Sequence, residues 1–152
     1  MGLPDDQTLR LAALLDGYAV DQQVGFLLRR AHQRHAAIFL DGMAADDLTP
    51  TQFTALVKTV EAGRITQNHL GRLAAMDPAT IQGVVRRLIE RGLLLRTHDP
   101  ADRRTVVLEP TAAGLALVRS AVASARRITE ATLAPLDPAE RRQFLSLLRK
   151  MV

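Results

Sequence analysis

Apolar residues recur at three- and four-residue spacing over most of this chain, which is the period of helices with one buried face. The first such run predicts a long helix from Asp21 to about Gly42, after a weakly patterned arm of residues 1–17. The helix-breaking sequence AADDLTP follows. Thr49 then has the position of a helix cap, proline occupies the first helical position, and the next helix is expected to end at Gly63.

The middle of the chain predicts two helices in close succession. After a short extended piece at residues 64–66, a helix is expected from about Gln67 to Ala75. Asp77 caps the following helix, a proline starts it and Gly92 stops it. The short stretch between the two helices leaves room only for a tight turn.

A hairpin is predicted directly after these helices. Residues 93–96 and 105–108 have the composition of two strands, and the sequence THDPADRR between them is typical of a turn. Helix, turn, helix and hairpin in this order predict a winged helix-turn-helix, which lays its second helix in the major groove of DNA.

Two further helices are predicted in the last third of the chain. One, capped by Thr111, covers residues 112–133, and the other is capped by Asp137 and ends near Met151. Because the chain is short, the terminal helices are expected to pair with those of a second copy, although a monomeric bundle is the alternative. The fold class is therefore mainly α with a small β-wing, dimerised through N- and C-terminal helices. Three regions are expected: an N-terminal arm and dimerisation helix (1–48), a DNA-binding lobe (49–110) and C-terminal dimerisation helices (111–152).

Composition excludes several classes of protein. Hydrophobic residues make up 47% of the chain and aromatic residues only 3%, so the core must be aliphatic. The absence of cysteine rules out disulfides, iron–sulfur clusters and cysteine-bound zinc. Neither a signal peptide nor an apolar run of about 20 residues is present, so no membrane partner and a cytoplasmic location are expected.

Positive charge is concentrated in the predicted DNA-binding part. Residues 64–104 contain eight arginines against four acidic residues, whereas residues 1–63 contain five basic residues against eight acidic ones. Arginine forks suit phosphates and guanine edges. Charge alone is equally compatible with helix faces that are merely solvated.

The helix after Asp77 offers a candidate recognition face opposite its apolar side. Gln82 can pair with adenine and Arg86 with guanine, while Arg87 and Arg91 suit phosphates. The alternative for any one of these side chains is an ordinary solvated position. The predicted recognition residues are Ala79, Thr80, Gln82, Gly83, Arg86 and Arg87.

Backbone contacts are predicted from the preceding helix and from the wing. Asn68, His69 and Arg72 lie near the start of that helix, and no neighbouring residue suggests that His69 binds a metal. The wing carries arginines suited to a narrow minor groove. Asp102 is expected either to hold an arginine by a charge-assisted hydrogen bond or only to shape the turn. The wing residues are Arg96, His98, Asp102, Arg103 and Arg104.

These motifs resemble the MarR family of bacterial transcription regulators. The family pattern of R-G-L, D-x-R, and a Thr and a Gly opening the next helix is matched at residues 91–93, residues 102–104, Thr111 and Gly114. Pro110 departs from the leucine usual there and is expected to shorten the second strand. The resemblance implies a homodimer, a pseudo-palindromic DNA operator and repression relieved by a small ligand.

A closer likeness within the family is to repressors of nicotinate catabolism, which respond to hydroxynicotinate. The segments that resemble them are VDQQVGFLLRRAHQRHAAIF, LTPTQF, ITQNHLGRL and AAMDPATIQGVV. A small aromatic carboxylate needs an apolar slot and a cation or hydrogen-bond donor. Arg29, His32 and His35 on the first long helix are the candidates, and the alternative for His35 is a purely structural hydrogen bond. No cofactor or metal is expected.

Other functions are less well supported by the residues. The three serines lie on predicted helices, and no nucleophile elbow, phosphate-binding loop or HExxH motif is present, so an enzyme is not expected. A winged helix used for protein assembly is disfavoured by the arginines, whereas a winged helix that binds RNA stays an alternative. An activator or a ligand-independent regulator remains an open alternative.

Overall fold

The computed structural model describes residues 8, 10 and 13–152, so most of the predicted arm 1–17 lies outside the described residues. The chain divides into two compact units, residues 1–36 and residues 37–152. In the first, a 3-10 turn at Val20–Gln22 is followed by an extended Gln23, whose side-chain amide donates to the carbonyl of Ala19 at 3.0 Å. The long helix α1 therefore begins later than predicted, at Val24, and runs to Gly42 across the unit boundary.

The second unit is built in the order the sequence predicts, with helices on both sides of a small hairpin. Its elements are α2 (Pro50–Ala62), α3 (Gln67–Leu73), α4 (Pro78–Glu90), β1 (Leu94–His98), β2 (Val106–Pro110), α5 (Ala112–Leu133) and α6 (Pro138–Arg149). The predicted fold class, mainly α with a β-wing, is confirmed.

Caps fix where the helices begin. At α2 the Thr49 hydroxyl accepts from the Gln52 amide at 3.2 Å, and the Gln52 side chain accepts from the Thr49 amide at 3.1 Å. Gly63 ends this helix with φ of +69°, a conformation that costs glycine little. These local devices confirm the predicted bounds of α2.

The core of the second unit is aliphatic, as the composition predicts. It joins α2, α3, α4 and the wing to α5. Its fully buried members include Leu56, Leu70, Ile81, Val85, Leu88, Leu94 and Leu108. Phe39 and Phe53 add an edge-to-face aromatic contact with ring centroids 6.2 Å apart.

The wing is an antiparallel hairpin in which Leu94 pairs with Pro110 and His98 with Val106. The extended piece predicted at residues 64–66 joins it, because Ile65 and Leu108 exchange two backbone hydrogen bonds. Two predictions were wrong here. Both strands lie one or two residues later than expected, and Pro110 does not shorten β2. At the end of the pair, the Thr111 amide takes over the hydrogen bond to the Leu93 carbonyl.

The turn between α3 and α4 also differs from the prediction. Helix α3 ends at Leu73 and not near Ala75, because Ala75 adopts a left-handed conformation with φ of +52°. The Met76 amide then donates back to the Gly71 carbonyl at 2.9 Å and closes the turn. A Cβ on Gly71 would lie 3.3 Å from Ile81, so this glycine lets α3 pack tightly against α4.

Candidate nucleic-acid interface and effector region

Helix α4 has one buried face and one exposed face, as predicted. Ile81, Val84, Val85 and Leu88 point into the core. Gly83 is partly exposed, and a Cβ added to it would meet no atom within 4 Å in the described part of the chain. A glycine in the middle of a helix is destabilising, so open space beside it favours a close approach by something outside the chain. The exposed recognition candidates are Ala79, Thr80, Gln82, Arg86 and Arg87.

Asp77 fixes the start of this helix. Its Oδ1 accepts from the amides of Ala79 and Thr80, and its Oδ2 accepts from the Thr80 hydroxyl at 2.5 Å. The Thr80 hydroxyl and amide lower the pKa of Asp77 below its ordinary value of 3.8. The Thr80 hydroxyl proton is therefore used in the cap, which leaves only its oxygen lone pairs for a contact with DNA.

Arg86 lies on the exposed face of α4. Its side chain is 68% exposed, and its Nε lies 3.8 Å from Oε1 of Glu90 one turn later. Such an exposed pair contributes little to stability, about 0.3–0.5 kcal/mol, and leaves the guanidinium available. A cleft of about 260 Å³ joins this part of α4 to the wing. Its lining residues are Gln82, Arg86, Ile89, Glu90 and Arg96.

The wing is shaped by aspartates. The Asp102 carboxylate accepts from the backbone amide of Arg104 at 3.0 Å and from the Thr105 hydroxyl at 2.9 Å. Both of its oxygens thus serve the turn, which is the second of the two roles that the sequence left open. Asp99 closes the loop through its amide, which donates to the Thr105 carbonyl at 2.9 Å.

The arginines of the wing tip are presented on this rigid turn. Arg103 and Arg104 are exposed, and Arg103 lines a surface hollow of about 570 Å³ together with His98, Asp99 and Pro100. Arg96, in the middle of β1, donates from Nη2 to Oε1 of Gln67 at 3.4 Å. The wing therefore carries cations both at its tip and along β1.

The base of the wing holds one more arginine that the sequence analysis did not single out. Arg64 donates from Nε to Oε1 of Glu109 at 2.7 Å, and the Thr97 hydroxyl donates to the same oxygen at 2.8 Å. The Thr97 hydrogen bond, followed by Arg64, lowers the pKa of Glu109. Because Arg64 and Glu109 are 45 residues apart, no local pattern indicates this pair.

The α3 candidates lie on the exposed side of that helix. Asn68 and Arg72 line a groove of about 300 Å³ that Met76 and Pro78 help to form at the turn into α4. His69 is exposed and its backbone amide donates to the cap Thr66 at 3.3 Å. The described residues contain no cluster of three or more metal-binding side chains.

Arg91 does not have the role that was predicted for it. Its guanidinium donates to the backbone carbonyl of Asp47 at 2.5 Å and to that of Asp46 at 3.4 Å. These contacts tie the end of α4 to the segment before α2. The prediction that Arg91 suits a phosphate was wrong, since the donors point to the protein's own backbone.

The effector candidates occupy successive turns of α1. Arg29 and His32 are exposed, and the Arg29 guanidinium lies 5.1 Å from the ring centroid of Phe26. His35 is half-buried. Phe26, three residues before Arg29, was missed by the sequence analysis, although its spacing on the helix could have indicated it. An arginine held over an aromatic ring offers a flat aromatic acid both a cation and an aromatic surface to contact.

Comparison with known proteins bears on these features. The model of the MarR family matches residues 48–106, which is the lobe from before α2 to the start of β2. The HTH-type transcriptional repressor NicR of Pseudomonas putida is 43% identical over 135 residues, which cover 89% of this chain and 85% of the relative. These relatives are regulators and not enzymes, as the sequence predicted.

Solved structures agree with the sequence comparison. A probable transcriptional regulator from Pseudomonas aeruginosa is 46% identical with a TM-score of 0.85, and the match covers 88% of this chain and 100% of that one. BpsR of Bordetella bronchiseptica, whose DNA binding is regulated by 6-hydroxynicotinic acid, is 45% identical with a TM-score of 0.83 over 88% and 96% of the two chains. No helix among the described residues is long and apolar enough to cross a membrane. With this identity over nearly the whole chain, the protein belongs to the MarR family of transcriptional regulators.

Proposed function

We propose that two copies of this chain bind a pseudo-palindromic DNA operator and repress transcription until a small aromatic carboxylate releases them. The observation that carries the proposal is the exposed face of α4 with Gln82 and Arg86, which lies opposite the buried face and beside Arg96 of the wing. Each good bidentate contact to a base edge contributes about 1–3 kcal/mol of discrimination. The cytoplasmic location expected from the sequence follows from the same proposal, because bacterial chromosomal DNA lies there.

Pairing of two copies is supported by an apolar face that the single chain leaves open. On α6, Phe144 and Leu147 are 43% and 51% exposed, and no residue of this helix is buried within the described chain. Exposed apolar patches of this kind mark interaction sites. We therefore assign α6 to the contact between copies, and we expect half-sites about one helical turn apart.

Selection of duplexes from a random library by the purified chain tests the DNA part of the proposal. Arg86→Ala should weaken binding to the selected operator by about 1–3 kcal/mol and relax the preference at one base pair per half-site. Lys58→Ala, which removes a surface cation of α2 outside the proposed DNA and inter-copy contacts, is the control. An equal loss on all duplexes would reduce Arg86 to a phosphate contact, and a chain that selects no sequence at low salt would refute the proposal.

The effector part rests on Arg29, His32 and His35 and on the relative that responds to 6-hydroxynicotinic acid. We infer that a carboxylate of this class contacts these side chains, so that acid is the first probe. His35→Ala should blunt release of the operator by the acid and leave operator affinity without the acid unchanged. Gln33→Ala, which changes an exposed neighbour, is the control. A full response in the His35 variant would remove this residue from the site.

A further inference from the structure

A buried aspartate stands outside the proposed DNA and effector contacts. Asp46 is only 5% exposed, and its carboxylate accepts from the Ser120 hydroxyl at 2.6 Å and from the Ser124 hydroxyl at 2.9 Å. Arg127 donates from Nη2 to the Ser124 oxygen at 3.1 Å. Because buried carboxylates are costly unless they are hydrogen-bonded, this pairing holds Asp46 firmly against the middle of α5.

The same short segment also holds the end of the recognition helix. The guanidinium of Arg91, the residue that follows α4 and caps its C-terminal end, donates to the carbonyls of Asp46 and Asp47. Asp47 adopts a left-handed conformation with φ of +49°, an unfavourable state for a non-glycine residue that the surrounding contacts must maintain. Residues 46 and 47 therefore contact both helices: the Asp46 side chain bonds to α5, and the two backbone carbonyls bond to Arg91 at the end of α4.

We propose that Asp46 is a positioning residue that transmits movement of α5 to the C-terminal end of the recognition helix, through Ser120 and Ser124 on one side and Arg91 on the other. The inference rests on the proposed function, since it concerns how the DNA-reading helix is held. It adds a specific mechanical link within one chain to the binding of operator and effector.

A second contact makes this link effective. The Thr111 hydroxyl, at the start of α5, donates to the carbonyl of Gly92 at 2.6 Å, so α5 already touches the end of α4 there. Nine residues of helix separate Thr111 from Ser120, which is about 13 Å. Because α5 holds the end of α4 at two separated points, a tilt of α5 must rotate α4 and cannot be absorbed at a single pivot.

Amide hydrogen exchange of the full chain, without DNA or effector, tests the link directly. The double variant Ser120→Ala/Ser124→Ala should raise exchange at Arg91, Gly92 and Leu93 by about tenfold, because local opening of this end becomes easier. Exchange at Ile81, whose amide donates to Asp77 at the other end of α4, should stay within twofold. Ser146→Ala, on the exposed side of α6, is the control. Unchanged exchange at residues 91–93, or an equal rise along all of α4, would overturn the proposal.

The ratio of operator affinities without and with 6-hydroxynicotinic acid is the second readout. Ser124→Ala should lower this ratio by about fivefold, which is at the lower end of coupling between sites. Arg91→Met should lower the ratio by a similar factor. Combining Ser124→Ala with Arg91→Met should lower the ratio no further, because both changes break the same connection. A residue with only a structural role would weaken both affinities and leave their ratio unchanged, and that result would overturn the link.

These two readouts separate the link from the proposed function. If the wild-type chain does not respond to the acid, the proposed effector class fails, and the exchange experiment alone decides the role of Asp46. If the acid acts but exchange at residues 91–93 is insensitive to the serine changes, the proposed function stands and the link is wrong.

Discussion

The recognition helix α4 and the last helix α6 begin in the same way and end in different surroundings. Each is capped by an aspartate followed by proline, Asp77 and Asp137, and they are 13 and 12 residues long. Helix α4 buries four residues in the core, whereas α6 buries none in the single chain. Both aspartates accept from the amides two and three residues later, so the difference in burial lies in what each apolar face can reach.

This comparison separates the forming of a helix from its stabilisation. A cap and a proline set the first turn, but an isolated helix of about 12 residues is marginal in water until its apolar face is packed. The chain supplies that packing for α4 through Leu70, Leu94 and their neighbours. For α6 the proposed contact with a second copy would supply that surface.

The largest expected effect comes from a charge on the open face of α6. Leu147→Glu should make the chain monomeric, because an unpaired carboxylate is costly at an apolar contact. Operator affinity should then fall by about 10²–10⁴-fold, since the two half-sites are no longer bound together. Sedimentation and operator titration measure the two effects.

Ser146→Glu places the same charge on the other side of α6 and should leave the dimer intact. If Leu147→Glu remains dimeric, α6 does not form the contact between copies, and its exposed face would need another explanation.

A smaller effect is expected where α5 meets the lobe. A Cβ on Gly114 would lie 2.2 Å from the backbone oxygen of Leu93, and a backbone atom cannot move aside easily. Gly114→Ala should therefore lower the free energy of unfolding by about 3 kcal/mol, at the upper end for overpacking. Denaturant titration measures this loss.

Gly83→Ala is the contrasting change on α4. It should raise the free energy of unfolding by about 0.5–1 kcal/mol through helix propensity, yet weaken DNA binding if the backbone there approaches the groove.

For the Gly114→Ala prediction, an unchanged free energy of unfolding would contradict the expected clash, because it would mean that α5 can shift away from Leu93.

The smallest effect is a pH dependence at the cap of α4. Because Thr80 lowers the pKa of Asp77, stability from the ionised cap is fully present above the ordinary value of 3.8 and is lost as the pH falls through the lower folded value. The melting temperature should therefore drop less between pH 5 and pH 3 in Asp77→Asn than in the wild type. In Thr80→Ala, which removes only the hydroxyl donor, the drop in melting temperature should lie between those of the wild type and Asp77→Asn. An equal drop in all three proteins would contradict this role of the Asp77 cap.

The sequence was most informative where the controlling contacts are local. The caps at Thr49, Asp77 and Asp137 lie within three residues of the amides they bind, so their patterns can be read directly. The exposed face of α4 follows from helical periodicity. The predicted bounds of the wing strands were wrong by one or two residues, and the hairpin is bonded to Ile65, which lies outside its own stretch of sequence.

Long-range contacts could not be read in the same way. Arg91 looked like one more basic residue beside DNA, but its partners are 44 and 45 residues earlier in the chain. Asp46 looked like part of a helix-breaking loop, although it is buried against Ser120 and Ser124. A serine pair at i and i+4 on a stripe of alanine and valine was the one available hint.

Sequence alone determined the order of helices and wing, the aliphatic core and the identity of the residues that α4 exposes, because periodicity and capping act over a few residues. Only the tertiary structure decided which charged groups remain available and which are used internally, since that depends on segments brought together by the core. Arg86 keeps an exposed guanidinium, whereas the guanidinium of Arg91 donates to backbone carbonyls that lie 44 and 45 residues earlier in the chain.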